Sequence, residues 1–183
     1  MSASPTATAP LRDEHRVILK ALDVLEAAAD RLADGTRIPE PAWSALLDWF
    51  VRFADARHHA KEERLLFPAL EAAGVPRAGG PIAVMLEEHE TGRELVCGMR
   101  AGALDVRAAR ARAYVDLLRV HIHKETDVLF ELADALLDGE TVKALARDYA
   151  AADLAQGADT EPAAAEAALE RLAAPLELPV LTR

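Results

Sequence analysis

The chain has 183 residues, enough for one domain with a sizeable core and too few for two large ones. Half of it is apolar (51%), only 4% is aromatic, and Ala, Leu, Glu and Arg dominate, a mixture that favours helix. A formal charge of -10 argues against nucleic acid or an anionic membrane as a partner, and the single cysteine, Cys97, excludes an internal disulfide and fits a reducing compartment.

Residues 1–10, rich in Ser, Thr, Ala and Pro, read as a flexible leader without the basic and apolar regions of a secretory signal. No later run is apolar enough to cross a bilayer, so a soluble cytoplasmic protein is expected. The first helical block ends at Asp34 and Gly35. Pro39 and Pro41 open a second block that lasts to Ala73 and Gly74. A loop rich in Gly and Pro follows, to Pro81, and the third block runs from about Ile82 to Ala101. The fourth runs from about Asp105 to Asp138 and Gly139. Beyond it, 139–183 reads as a C-terminal helical extension broken by Pro162, Pro175 and Pro179.

Each block carries one apolar stripe at alternating steps of three and four residues, the period that keeps side chains on one helix face. The stripes are Leu11, His15, Ile18, Leu22, Leu25, Ala29 and Leu32; Leu47, Val51, Ala54, His58, Glu62, Leu65 and Ala69; Ile82, Met85, His89, Gly92, Val96 and Met99; and Tyr114, Leu118, His121, Glu125, Val128, Leu132 and Ala135. They predict an all-α fold, an antiparallel up-down four-helix bundle over 11–138 with the extension added.

Six ionisable residues interrupt the stripes: His15, His58, Glu62, His89, His121 and Glu125. Burying one such group without a partner costs roughly 2–7 kcal/mol, so six in one core need a common explanation. His58 and Glu62 are four apart, as are His121 and Glu125, so each pair addresses one centre. His15 and His89 each add a nitrogen, and two metals bridged by the two carboxylates would use all six groups. The two halves repeat: His58 to Glu62 followed by Leu66-Phe67 matches His121 to Glu125 followed by Leu129-Phe130, and Asp13-Glu14-His15-Arg16 resembles Glu87-Glu88-His89-Glu90. Imidazole with carboxylate suits iron, manganese or zinc. Two metals with an incomplete shell favour iron; a ferritin-like site would instead use Glu-x-x-His spacing.

At these residues the sequence resembles the hemerythrin family in its bacterial HHE-domain branch, through His15, the run HHAKEERLLFPAL from His58, His89, and the run HIHKETDVLF from His121. The resemblance spans 11–138. It implies that His15, His58, His89 and His121 are terminal ligands of two iron ions, ferrous or ferric, and that Glu62 and Glu125 bridge them beside an oxo or hydroxo bridge. Oxygen-carrying hemerythrins have a further histidine one turn before the third-helix ligand, where this sequence has Met85. That departure moves the expectation from oxygen carriage toward nitric-oxide-responsive and iron-sulfur-repair relatives.

Among the neighbours, His59 and His123 are expected off the ligand face, Glu63 in solvent, and Lys61 and Lys124 as surface charges. Tyr114 is expected in the core, and Gly92 either opens a pocket or permits close packing. Trp43, Trp49, Phe50 and Phe53 should fill the bundle. The function expected is binding, and as an enzyme reduction, of a small diatomic or peroxide ligand: dioxygen, hydrogen peroxide (catalase-like) or nitric oxide. The alternatives are a sensor signalling through its extension, where a protein partner or a second copy would dock, and an oxygenase on an organic substrate.

Overall fold

Breakers place the helix ends where the sequence suggests. The computed structural model describes residues 6–157 and 161–174. Residues 1–5 of the expected leader, and 158–160 and 175–183 of the extension, lie outside the described residues. Helix α1 spans Ala9–Ala33, α2 runs over 40–72, α3 spans Pro81–Arg100, and α4 runs over 104–136. Two shorter helices, α5 (Gly139–Gln156) and α6 (Pro162–Ala173), form the extension, and no strand occurs among the described residues. Proline sits in the first turn of α1, α2, α3 and α6, where its missing N–H costs nothing. Asp138 caps α5 by accepting from the Thr141 N–H at 2.8 Å. Gly35 and Gly74 have φ of 79° and 97°, and each lets the residue after it donate back to a carbonyl of the last turn.

The apolar residues form two clusters. One holds Leu22, Leu25, Trp43, Leu47, Phe50, Phe53, Met99 and Leu118; the other holds Leu11, Leu66, Phe67, Ile82, Met85, Leu129 and Phe130. Five of the six stripe-breaking residues fall between these clusters in sequence on their helices, and the sixth, His121, stands next to Ile122, the last member of the first cluster on α4, so the bundle carries a polar layer capped by apolar core on both sides. The four predicted core aromatics, Trp43, Trp49, Phe50 and Phe53, are all buried.

The stripes on α1 and α3 are buried throughout, but those on α2 and α4 slip out of phase. Val51 and Val128, predicted inward, are 38% and 57% exposed, while Leu66 and Phe67 on α2, and Leu129 and Phe130 on α4, are buried instead. The cause is local. Both helices contain π-type turns, at Phe50–His59 and Glu62–Leu66 in α2 and at Glu125–Leu129 in α4. A π turn bonds five residues back instead of four, so each one advances the buried face by a residue. The turns at Glu62 and Glu125 occupy equivalent places in the internal repeat.

The extension packs on its own chain. Leu145 and Tyr149 of α5, and Ala165, Leu169 and Ala173 of α6, are buried. Trp49 donates its indole N–H to the Ala165 carbonyl at 2.9 Å, and Gln156 donates to the Ala56 carbonyl at 2.7 Å. The expected leader is shorter than its composition suggests: helix α1 already begins at Ala9, Ala7 is buried, and the Thr8 hydroxyl donates to Asp134 at 2.7 Å.

The phase slip is directly testable. Leu129→Ala should cost about 2–5 kcal/mol in urea unfolding, and Val128→Ala should stay within about 0.5 kcal/mol. An α4 without the π turn would give the reverse order.

Candidate metal centre

The polar layer brings the six predicted residues together, none more than 3% exposed. His58 Nε2 stands 3.2 Å from Glu62 Oε1, and His15 Nε2 stands 3.2 Å from Glu125 Oε2. On the other side, His89 Nε2 is 3.5 Å from Glu62 Oε2, His121 Nε2 is 3.3 Å from Glu125 Oε2, and the two Nε2 atoms are 3.1 Å apart. Adjacent ligands on one metal with bonds of about 2.1 Å lie about 3 Å apart, so these spacings fit. Two donor groups emerge, each able to hold an ion: His15, His58, Glu62 and Glu125, and His59, Glu62, His89 and His121.

The polar atoms in the layer also lack protons to share. Among the described residues, both oxygens of Glu62, both of Glu125, and the Nε2 atoms of His15 and His58 are buried without a hydrogen-bond partner. Buried carboxylate oxygens left unpaired are costly, and a cation between them removes the cost. The orphaned atoms therefore suit a metal pair, with no thiolate among the donors.

The outer nitrogen of each imidazole is tethered. His58 Nδ1 donates to Glu14 and His121 Nδ1 to Glu88, each at 3.0 Å; His89 Nδ1 donates to Glu63 at 2.8 Å, and His15 Nδ1 lies 3.3 Å from the Thr126 hydroxyl. A carboxylate only accepts, so Nδ1 of His58, His89 and His121 carries a proton, which leaves Nε2 as the nitrogen for a metal. The tethers follow the repeat. Glu14 precedes His15 and Glu88 precedes His89, while Glu63 follows Glu62 and Thr126 follows Glu125. The sequence shows the Glu-His repeat without assigning it a role, and it favours solvent for Glu63 over the alternative, an acceptor from a ligand histidine. The structure realises the alternative and turns Glu63 onto His89.

Lys61 is a second correction. It is buried, not a surface charge, because α5 covers it: its ammonium donates to Glu14 and, at 2.9 Å, to Asp153. Arg57, also buried, joins Glu14 and Asp153 at 2.8 and 2.9 Å. Lys124, its counterpart in the repeat, pairs with Glu88 while its side chain stays 41% exposed.

His59 is a third correction. Expected off the ligand face, it is 3% exposed and lies in the second donor group, its ring stacked on His89 with centroids 3.9 Å apart. The π turn explains this, since more residues per turn bring consecutive side chains closer in angle than an α-helix does. His123 is exposed as expected. Tyr114 is buried edge-on to Phe50, and a Cβ on Gly92 would meet its ring at 3.4 Å, so Gly92 both permits that packing and lines a cavity beside His59 and His89.

Charge is balanced within the layer. Burial acts to lower His58 and His121, but the Glu62 and Glu14 carboxylates around the first, and Glu125 and Glu88 around the second, overcome it and hold each near 10. Burial also acts to raise Glu14, yet His58 and Lys61 bring it down to about 2. For His59, burial and the neighbouring imidazoles push its pKa far down.

Glu14→Ala should weaken metal affinity about 10–100-fold in chelator competition, and should cost about 3–5 kcal/mol because Arg57 and Lys61 lose a buried counter-charge. Glu88→Ala should lose comparable affinity and less stability, since its lysine reaches water. Metal uptake by stripped protein at pH 7.5 should release about two protons, those of His58 and His121, measurable by pH-stat. Because both pKa values lie above the unfolded value of about 6.5, their stabilisation of stripped protein is complete below that pH and is lost as pH rises through about 10.

Comparison with known proteins gives this layer its context. The hemerythrin HHE cation-binding domain model matches residues 6–133. The chain is 34% identical over 89 residues to the iron-sulfur cluster repair protein YtfE of Dickeya chrysanthemi, covering 42% of this chain and 40% of that protein. It is 33% identical over 85 residues to the iron-sulfur cluster repair protein DnrN of Neisseria gonorrhoeae, covering 40% and 54%. An uncharacterized Mycobacterium tuberculosis protein is 28% identical over 135 residues, covering 68% and 52%. The chain thus spans about half the length of these relatives, or less. No solved structure matches it significantly. The bundle, its polar layer and the match over 6–133 together place the chain in the hemerythrin HHE cation-binding family.

Proposed function

We propose that the layer holds two iron ions and that the protein binds and reduces a small oxidant: dioxygen, hydrogen peroxide or nitric oxide. His15 and His58 would hold one ion, His89 and His121 the other, with Glu62 and Glu125 shared between them. The observation that carries this reading is the pair of buried carboxylates, whose four oxygens lack a hydrogen-bond partner among the described residues and which face imidazole nitrogens on both sides. Nitrogen and oxygen donors without thiolate suit iron, whose two oxidation states supply the electrons when it is bound.

The chain's own groups bind, orient and shield. Glu14, Glu63 and Glu88 hold protons on the outer imidazole nitrogens, and the apolar clusters on both sides keep bulk water from the layer. No cysteine belongs to either donor group. The repair role named for the Dickeya and Neisseria relatives is compatible with a redox-active iron pair. The lone cysteine and the absence, among described helices, of any long and apolar enough to cross a membrane support a cytoplasmic setting.

Purified protein should load two irons per chain, and His58→Ala or His121→Ala should lose them. A chain that takes up no metal, or keeps it after both changes, would refute the reading. Turnover of iron-loaded protein with peroxide against nitric oxide then separates the oxidants. The Lys61 bridge between Glu14 and Asp153 favours a second reading, a sensor that reports the state of the centre to α5 and α6. It expects the extension's protease sensitivity to differ between diferrous and diferric protein, and identical cleavage would sink it.

A further inference from the structure

The two halves of the layer differ in what covers them. On one, the Phe130 ring lies flat against His15, 5.1 Å between centroids and 10° between planes. On the other, a cavity of about 190 Å³ between α2 and α3 reaches His59 and His89. That volume is below the roughly 300–1,000 Å³ of pockets that take drug-sized ligands. Phe50 and Val96 give it apolar walls, and Arg93, Arg100 and the exposed Cys97 line it as well. Arg93 is held by Asp55 and Glu63, at 2.8 and 2.6 Å, and Arg100 by Asp48 at 2.6 Å.

His59 is the unexplained group in this cavity. It is buried, yet neither ring nitrogen has a hydrogen-bond partner among the described residues, and its closest carboxylate, Asp55, stands 3.6 Å from Nδ1. Its ring lies only 14° from parallel to His89, face to face at 3.9 Å. An imidazole lone pair lies in the ring plane, so two rings stacked this way do not both aim lone pairs at one ion. With His89 on the metal, His59 stands beside the site with a nitrogen within 4.8 Å of the donor atoms of Glu62, His89 and His121. His59 therefore lines the cavity beside the centre with ring nitrogens that no group among the described residues occupies.

We propose that this cavity binds a ligand of two or three heavy atoms, neutral or singly negative, at the His89 and His121 centre, and that His59 donates the hydrogen bond that holds its accepting end. The inference rests on the reading that the layer holds iron, and it names the half that is open to ligand. It also excludes oxygenation of a large organic substrate at this position.

Azide, a linear monoanion that accepts hydrogen bonds, is the probe. Iron-loaded protein should bind it with a measurable change in visible absorption. His59→Phe should retain two irons per chain and bind azide about tenfold more weakly, and His59→Gln, which restores a donor, should recover part of the loss. Alkylating Cys97 with a bulky maleimide should slow azide binding several-fold, and iodoacetamide should slow it less. Loss of iron in His59→Phe would make His59 a ligand and overturn the proposal, as would unchanged azide affinity in that variant. Equal binding rates before and after maleimide treatment would overturn the approach through the cavity. Iron-loaded wild-type protein that binds no azide would overturn the proposal, while failure to load iron at all would instead refute the reading on which it rests.

Discussion

Two buried carboxylates without a hydrogen-bond donor govern this structure. Glu62 and Glu125 are fully buried, and their oxygens find no hydrogen-bond donor among the described residues. Such groups persist only where positive charge is brought to them. The chain supplies it in layers: imidazoles at 3.2 to 3.5 Å, then Glu14, Glu63 and Glu88 holding those imidazoles, then Lys61, Arg57, Arg93 and Lys124 holding the outer carboxylates. Around Glu63 and Glu88 the last step moves charge closer to solvent, whereas Lys61 and Arg57 stay buried with Glu14, and helices α1 to α4 must stay in register for the series to close. The apolar clusters on either side fix that register.

Much of this was legible because it is periodic. A histidine or glutamate on an otherwise apolar stripe announces itself, and the repeat from His58 to Glu62 and from His121 to Glu125 pairs the halves before any coordinate is known. Helix ends were legible too, since Gly35, Gly74 and the first-turn prolines act locally. What was hidden depends on geometry that no ideal period contains. The π turns shift Leu66, Phe67, Leu129 and Phe130 inward and draw His59 into the layer, and nothing in the composition of Phe50–His59 signals an extra residue per turn. Lys61 was misread because its burial comes from α5, almost a hundred residues later in the chain.

His59 also breaks the internal symmetry. Its counterpart in the repeat is Ile122, a buried apolar residue in the same register. One half of the layer therefore has an imidazole where the other has a hydrocarbon. Met85, which removes a histidine one turn before His89, does not leave that half poorer in imidazole, because His59 stands against His89 from the facing helix.

The halves diverge further in what lies outside them, and the divergence gives each a separate task. Glu14 sits under α5, joined through Lys61 and Arg57 to Asp153, with Phe130 covering His15. Glu88 has only Lys124, which is 41% exposed, and its half borders the cavity at Gly92 and Arg93. A bundle built from two similar halves has thus closed one and left the other open. The closed half is tied to the extension, so any change in charge at His58 is felt by a salt-bridge network that ends on α5. In the proposed reading the open half would meet small molecules. Because Glu62 and Glu125 stand against histidines of both halves, a ligand arriving beside His89 would alter the charge that His58 and Glu14 must balance, a physical route from the cavity to the extension through shared carboxylates.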